Sequence, residues 1–176
     1  MCETDYINIE AAEESIAYNT FETAIIFDLS GQEIFRVIDE QQHVIFSSEE
    51  KEQLLGMIVT HNHPYKLNPG GSENSSLMSL DDIVLAHECY IHELRTVHGS
   101  YVHSFSWSAN ADIMQLESLC SSLKSLMAKT KLNMQKAKKQ KKSVLQAYQE
   151  GTRKIIRFME DSQGKYQYNY KLRRRK

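Results

Sequence analysis

Pro64 closes a short run whose local structure is tightly constrained. Met57, Ile58 and Val59 are consecutive apolar residues, and Thr60-His61-Asn62-His63 follow directly. Such a run reads as a buried strand. Proline has no backbone N–H to give, so it stops a central strand at that point. Side chains two apart on a strand share a face, and His61 and His63 therefore project together from its end. After a stretch rich in Gly, Asn and Ser, Ser79-Leu80-Asp81-Asp82 opens a helix-like pattern. Zinc binds His nitrogen and Asp oxygen, and a catalytic zinc keeps three protein ligands and one open position. His61, His63 and Asp82 suit such a site.

Each residue also has a plainer reading. A His-x-His pair alone fits two ordinary histidines beside a loop. Ser79-x-x-Asp82 ahead of an apolar helix reads as a capping box, with Asp in place of the usual Glu or Gln. The two roles are compatible, because a cap fixes the backbone while one Asp oxygen reaches a metal. Glu22 lies in an apolar strand near Phe21 and Ile25. Beside His61 it would take a proton from water and pass it to a leaving amine; facing outward it is a solvated carboxylate. Its position in the chain does not choose between these. His87, His92, His98 and His103 read as structural or solvent-facing, Asp81 as a first-turn helix acid and Cys89 as buried.

The pattern of elements is mixed. Asn8 caps a short helix with Ile9, Ala12 and Ile16 on one face. Thr20 to Phe27 reads as a strand, Asp28 to Gly31 as a turn, and Glu33 to Ile38 as the returning strand. Val44 to Phe46 reads as a third strand. Ser47 or Ser48 caps a brief helix through Leu55, which Gly56 ends. The helix from Ser79 carries Ile83, Ala86, Tyr90 and Leu94 at helical spacing. Arg95 to Val97 and Tyr101 to Trp107 read as strands around a Gly99-Ser100 turn. From Asn110 to Asp161 there is no proline and one glycine, Gly151, so one long helix or two is expected. Gly164 begins an irregular end.

Charge divides the chain. Residues 121–176 hold 17 Lys/Arg and three acids, a net +14, whereas residues 1–120 carry 4 Lys/Arg and 20 Asp/Glu, a net -16. A basic tail of this kind binds nucleic acid, binds another polyanion, or docks on its own acidic part. Docking is expected around Leu116 to Met127, with the lysine-rich remainder exposed and able to bind polyanions weakly. Tyr166, Tyr168 and Tyr170 either stack on single-stranded bases or alternate along an added strand. Cys2, Cys89 and Cys120 form no CxxC pair, which fits a reducing compartment. No run approaches the roughly 18 apolar residues of a membrane span. The acidic start, Met-Cys-Glu-Thr-Asp, has no apolar signal core.

Glu22, Thr60-His61-Asn62-His63-Pro64 and Ser79-x-x-Asp82 together resemble the JAMM signature of the JAB/MPN metalloprotease superfamily. The His-Asn-His-Pro form is similar to its RadC-like bacterial branch and to JAB-like domains of phage proteins. The resemblance covers about residues 18–107. It implies a mixed sheet flanked by helices, zinc held by His61, His63 and Asp82, Glu22 as general acid/base, and Ser79 stabilising the oxyanion. The family places its acidic ligand closer to the second histidine than the 18 intervening residues found here. Family spacing would fall near Glu73 or Asn74. Asp82 is preferred because Ser79 to Ile83 reproduces the family's helix start. The extra residues then enlarge the loop 65–78 beside the zinc.

The expectation is an α/β (α+β) chain, with a JAMM/MPN-like metal-binding domain over 1–108 and a basic helical extension over 109–176. It would be a cytoplasmic, zinc-dependent hydrolase that cleaves a peptide or isopeptide bond in a protein or peptide substrate. The alternative is a RadC-like or phage/mobile-element accessory domain that acts with nucleic acid, or a protein-interaction scaffold. No membrane partner is expected.

Overall fold

The computed structural model of the chain describes residues 5–39, 44–64 and 77–175. Its helices and strands are, in order, α1 (Asp5–Ile16), β1 (Glu22–Phe27), β2 (Glu33–Asp39), α2 (Ser48–Glu52), β3 (Ile58–Asn62), α3 (Leu80–Glu88), β4 (Glu93–His98), β5 (Tyr101–Trp107), α4 (Ile113–Lys139), α5 (Val144–Asp161), α6 (Gln163–Tyr166) and β6 (Tyr168–Arg174). The strands form one sheet in the order β2-β1-β3-β4-β5-β6. Strand pairs β1–β2, β1–β3 and β4–β5 are antiparallel, and β3–β4 is parallel. This is the mixed α/β class that the sequence pattern implies. The chain divides into two compact units, Met1–Trp107 with Lys171–Lys176, and Ser108–Tyr170.

In the first unit, local chemistry sets the β1–β2 turn. Asp28 Oδ1 accepts from Ser30 N, Ser30 Oγ and Gln32 N, and Gly31 takes a φ of +78° that glycine adopts without strain. Ile9 and Ile16 of α1 pack on Ile25, Phe27 and Ile58. That apolar cluster fixes which face of β1 and β3 lies under α1 and turns Glu22 and His61 to the other.

A buried ionic cluster lies in the same unit. Glu13 of α1 is fully buried. Its Oε1 accepts from Arg95 Nε at 2.6 Å, and its Oε2 accepts from Arg173 Nη2. A carboxylate removed from water needs such paired cations. Arg175 Nη1 donates to the Gly99 carbonyl at 2.8 Å. Two arginines of the basic C-terminal run are thus engaged with groups of the first unit and are not free solvated charges.

The second unit is built on a helical hairpin. Asp112 and Ser143 cap α4 and α5 through their side chains, and Leu116, Leu119 and Leu123 are buried. Gly151 permits the close approach of the two helices. A Cβ at this position would stand 2.2 Å from Thr130 Cγ2. Among the described residues, no helix is long and apolar enough to cross a membrane.

Several local expectations are corrected. Val44 to Phe46 is not a strand; its Val44 N–H is directed to a side chain, as described below. Asn8 lies inside α1, which starts at Asp5, and its amide reaches the Gly31 carbonyl. Ser47 caps α2, but the helix ends at Glu52. Ile83 and Ala86 are buried on α3, whereas Tyr90 lies beyond it at a φ of 49° and Leu94 belongs to β4. The end after Gly164 is a helical turn and a strand. Tyr166, Tyr168 and Tyr170 are buried, so they are not available to stack on bases.

Candidate metal centre

The register of β1 on β3 sets the site. Ala24 pairs with His61 and Phe27 with Ile58. Side chains alternate along each strand, which places Glu22 and Ala24 of one strand on the same face as His61 and His63 of the other. Asn62, between the histidines, is fully buried. Its Oδ1 accepts from Thr23 N at 2.8 Å and its Nδ2 donates to the Phe21 carbonyl at 2.9 Å. These two bonds clamp the backbone on either side of Glu22. Val44 N then donates to Glu22 Oε2 at 3.2 Å.

Asp82 reaches the same place from α3. Ser79 N donates to Asp82 Oδ2, and Asp82 N donates to Ser79 Oγ, so the capping box is formed. The carboxylate also faces both imidazoles. His61 Nε2 is 3.4 Å from Asp82 Oδ1, and His63 Nε2 is 3.6 Å from Asp82 Oδ2. Glu22 Oε1 stands 3.9 Å from His61 Nε2. The structure therefore brings together all five residues singled out in the sequence: Glu22, His61, His63, Ser79 and Asp82.

His61 has the form of a ligand. Its Nε2 is buried without a hydrogen-bond partner, while the other ring nitrogen donates to the Arg95 carbonyl. A backbone carbonyl on one nitrogen fixes the tautomer and leaves the other nitrogen's lone pair for a metal. Burial alone would lower the affinity of His61 for a proton, but the facing Asp82 and Glu22 carboxylates raise its pKa overall. Burial opposes ionisation of Asp82 too, yet the two histidines hold its carboxyl well below the usual range. At Glu22 burial wins, and its carboxyl is pushed up despite His61 and His63.

The donor set could hold a metal ion. In a tetrahedral zinc site with His and Asp ligands, neighbouring donors are about 3.3 Å apart. Asp82 comes near that spacing through a different oxygen for each histidine, Oδ1 at 3.4 Å from His61 and Oδ2 at 3.6 Å from His63. Donor atoms of Glu22, His61 and His63 also lie within 4.8 Å of one another. Glu22, read from the sequence only as a base, is thus a candidate donor as well, although its 3.9 Å separation from His61 is the longer one. Glu73 and Asn74, and most of the loop 65–78, lie outside the described residues.

A cavity of about 580 Å³ adjoins these groups. Glu22, His63, Ser79 and Asp82 line it together with apolar Ile45, Phe46, Val84 and Leu85. The other polar residues play different parts. His98 and His103 are fully buried and His92 is exposed. His87 packs edge-on against Trp107, with ring centroids 5.4 Å apart. Asp81 is exposed, and Cys89 is half-buried where the sequence suggested full burial.

Two positioning residues escaped the sequence reading, Asn62 and Arg95. Asn62 carried a usable signal. A polar residue inside a strand that is buried at every position must find partners. Arg95 contributes through its backbone carbonyl, which leaves no mark in the sequence. Comparison of the chain with protein-family models, curated proteins and solved structures finds no match.

Proposed function

We propose that the chain is a zinc-dependent hydrolase of JAMM type that cleaves a peptide or isopeptide bond in a protein or peptide substrate. The observation that carries the proposal is the convergence of Glu22, His61, His63 and Asp82, from β1, the end of β3 and α3, around the buried Nε2 of His61. His61, His63 and Asp82 would hold the zinc. When bound, zinc supplies positive charge that lowers the pKa of water and polarises a carbonyl.

The residues of the chain supply the remaining steps. Glu22 takes a proton from the attacking water at a carboxylate oxygen. It returns that proton to the amine nitrogen as the C–N bond breaks. Its raised pKa suits a group that must both accept and give a proton. Ser79 Oγ accepts from Asp82 N, which leaves its hydroxyl proton to donate to the oxyanion. The apolar wall of Ile45, Phe46, Val84 and Leu85 would hold a substrate side chain and keep water away. A cytoplasmic location fits Cys89 and Cys120, which form no disulfide among the described residues.

Metal analysis of protein purified without a histidine tag tests the proposal. Zinc should approach one per chain, fall sharply in His63→Ala and persist in His92→Ala. Glu22→Gln should keep zinc and lose turnover of fluorogenic peptide and isopeptide substrates, since the amide cannot accept the proton. No divalent metal, even after reconstitution, would sink the hydrolase and leave an interaction scaffold. A second reading, an accessory domain of RadC-like or phage type acting with nucleic acid, is favoured by the unit Ser108–Tyr170, which holds twelve Lys/Arg against five Asp/Glu.

A further inference from the structure

A second cavity, of about 310 Å³, lies wholly within the unit Ser108–Tyr170. It opens between α4 and α5 beside the Gly151–Thr130 contact. Lys129 and Lys136 reach it from α4, Lys154 from α5, and Asn133 adds an amide. Lys129 and Lys136 are seven residues apart, so they stand on one face of their helix, two turns from each other. No carboxylate is among the lining residues.

Exposed lysines are ordinarily solvated and scattered. Here three ammonium groups from two helices border one concavity with no counter-charge in its lining. Positive charge from two helices around one concavity favours an anion there. Thr130 Oγ1 already donates to the Leu126 carbonyl at 3.0 Å. Asn133 is therefore the neutral side chain left to donate into the cavity.

We propose that this cavity seats phosphate groups of a nucleic-acid strand. The extent of the charge favours a polymer over a small phosphorylated ligand. Lys138 and Lys139 close α4, Lys141 and Lys142 follow it, and all four are exposed. From Lys129 to Lys139, the end of α4, the lysines span about 15 Å at the helical rise. A single small ligand needs the cavity alone; a strand uses the whole array. Because Tyr166, Tyr168 and Tyr170 are buried, the contacts fall on the backbone and the site is indifferent to base sequence. The proposal gives the nucleic-acid reading a location and needs none of the metal chemistry.

Fluorescence anisotropy on the full chain tests it, with a labelled oligothymidylate, a mixed-sequence oligonucleotide and polyglutamate of similar length, each titrated over a range of salt. The two oligonucleotides should bind equally and polyglutamate more weakly. The triple variant Lys129→Ala, Lys136→Ala, Lys154→Ala should bind at least about tenfold more weakly, and its slope of log affinity on log salt should fall by about 2. The charge-matched control Lys124→Ala, Lys131→Ala, Lys171→Ala should change neither much, since these exposed residues do not line the cavity. Asn133→Glu, one unit of charge inside the cavity, should weaken binding more than Lys131→Glu, two units outside it. This pair keeps the test open if the triple variant misfolds. Equal losses in the two triple variants would overturn the site while leaving nucleic-acid binding standing. Polyglutamate binding as tightly as the oligonucleotides would assign the surface to an acidic protein. No binding at low salt would overturn both the site and the nucleic-acid reading.

Discussion

Ser79 and Asp82 hold one another through two reciprocal hydrogen bonds, 2.7 Å from Ser79 N to Asp82 Oδ2 and 3.0 Å from Asp82 N to Ser79 Oγ. The same carboxylate faces both histidines, with Oδ1 toward His61 and Oδ2 toward His63. Helix capping and the proposed metal binding therefore draw on one side chain. The cap restricts the carboxylate before any metal arrives, which reduces the ordering cost of binding.

The two roles separate by mutation. Asp82→Asn keeps an oxygen for the Ser79 N–H but removes the charge that faces the histidines. Zinc content should collapse while α3 persists by circular dichroism. Ser79→Ala should do the reverse, retaining zinc and costing about 1 kcal/mol of stability. Glu73→Gln, run in parallel, should leave zinc content unchanged. Zinc lost from Glu73→Gln but kept in Asp82→Asn would move the third ligand to the other register.

Asn62→Ala should destabilise the first unit by about 2–4 kcal/mol, because a buried N–H at Thr23 and a buried carbonyl at Phe21 lose their partners together. Turnover should fall further than the folded fraction, since Glu22 sits between the two released groups. Urea unfolding followed alongside peptide hydrolysis separates these effects. A loss of activity that merely tracks unfolding would reduce Asn62 to a structural residue.

Gly151→Ala should cost the helical hairpin about 1–3 kcal/mol. The added methyl meets Thr130 Cγ2, Oγ1 and Cβ at 2.2–2.8 Å, and Thr130 is tied to Leu126. Gly164→Ala is the matched control. A Cβ there meets nothing within 4 Å, so stability should hold or rise slightly. Thermal melts of the two variants would show the contrast; equal melting temperatures would mean that α4 and α5 can slide apart at little cost.

Alkaline pH should loosen the unit Ser108–Tyr170. Burial pushes the Tyr168 hydroxyl from 10.0 up to about 12, and it donates to the Met159 carbonyl at 2.8 Å. Tyr170 is shifted in the same direction, also by burial. Because the folded pKa lies above the unfolded one, the contribution is complete below pH 10 and is lost as pH rises through about 12. Tyr168→Phe should flatten that loss at the expense of about 1 kcal/mol at neutral pH, where the hydrogen bond is gone. Urea midpoints across the alkaline range provide the check. An unchanged alkaline slope in Tyr168→Phe would exclude Tyr168 as its source.

What the sequence revealed, and what it did not, follows from range. The common face of His61 and His63 is a property of the pleat, and the Ser79–Asp82 box is closed within one helical turn. Both are local and could be read from spacing. The placement of Glu22 is not local. It depends on the β1–β3 register and on Asn62, which spans 39 residues to reach Thr23. Val44 looked like a strand residue by its β-branched neighbourhood, but its N–H serves Glu22 instead. The helical period from Ile83 ran on through Tyr90 and Leu94 because the following strand, β4, happens to carry an apolar residue in phase. Glu13 gave no sign of its burial, since its partners lie on β4 and β6.

Glu13 and Arg173 are separated by 160 positions. During synthesis the N-terminal end emerges first. Glu13 therefore waits for its second cation while the whole intervening helical unit is made. Until Arg173 arrives, the nascent first unit carries a carboxylate with only Arg95 to neutralise it. Breaking a buried pair of this kind typically costs about 3–5 kcal/mol. The order of synthesis thus leaves the first unit less stable until its last strand delivers Arg173 and completes the pairing of Glu13.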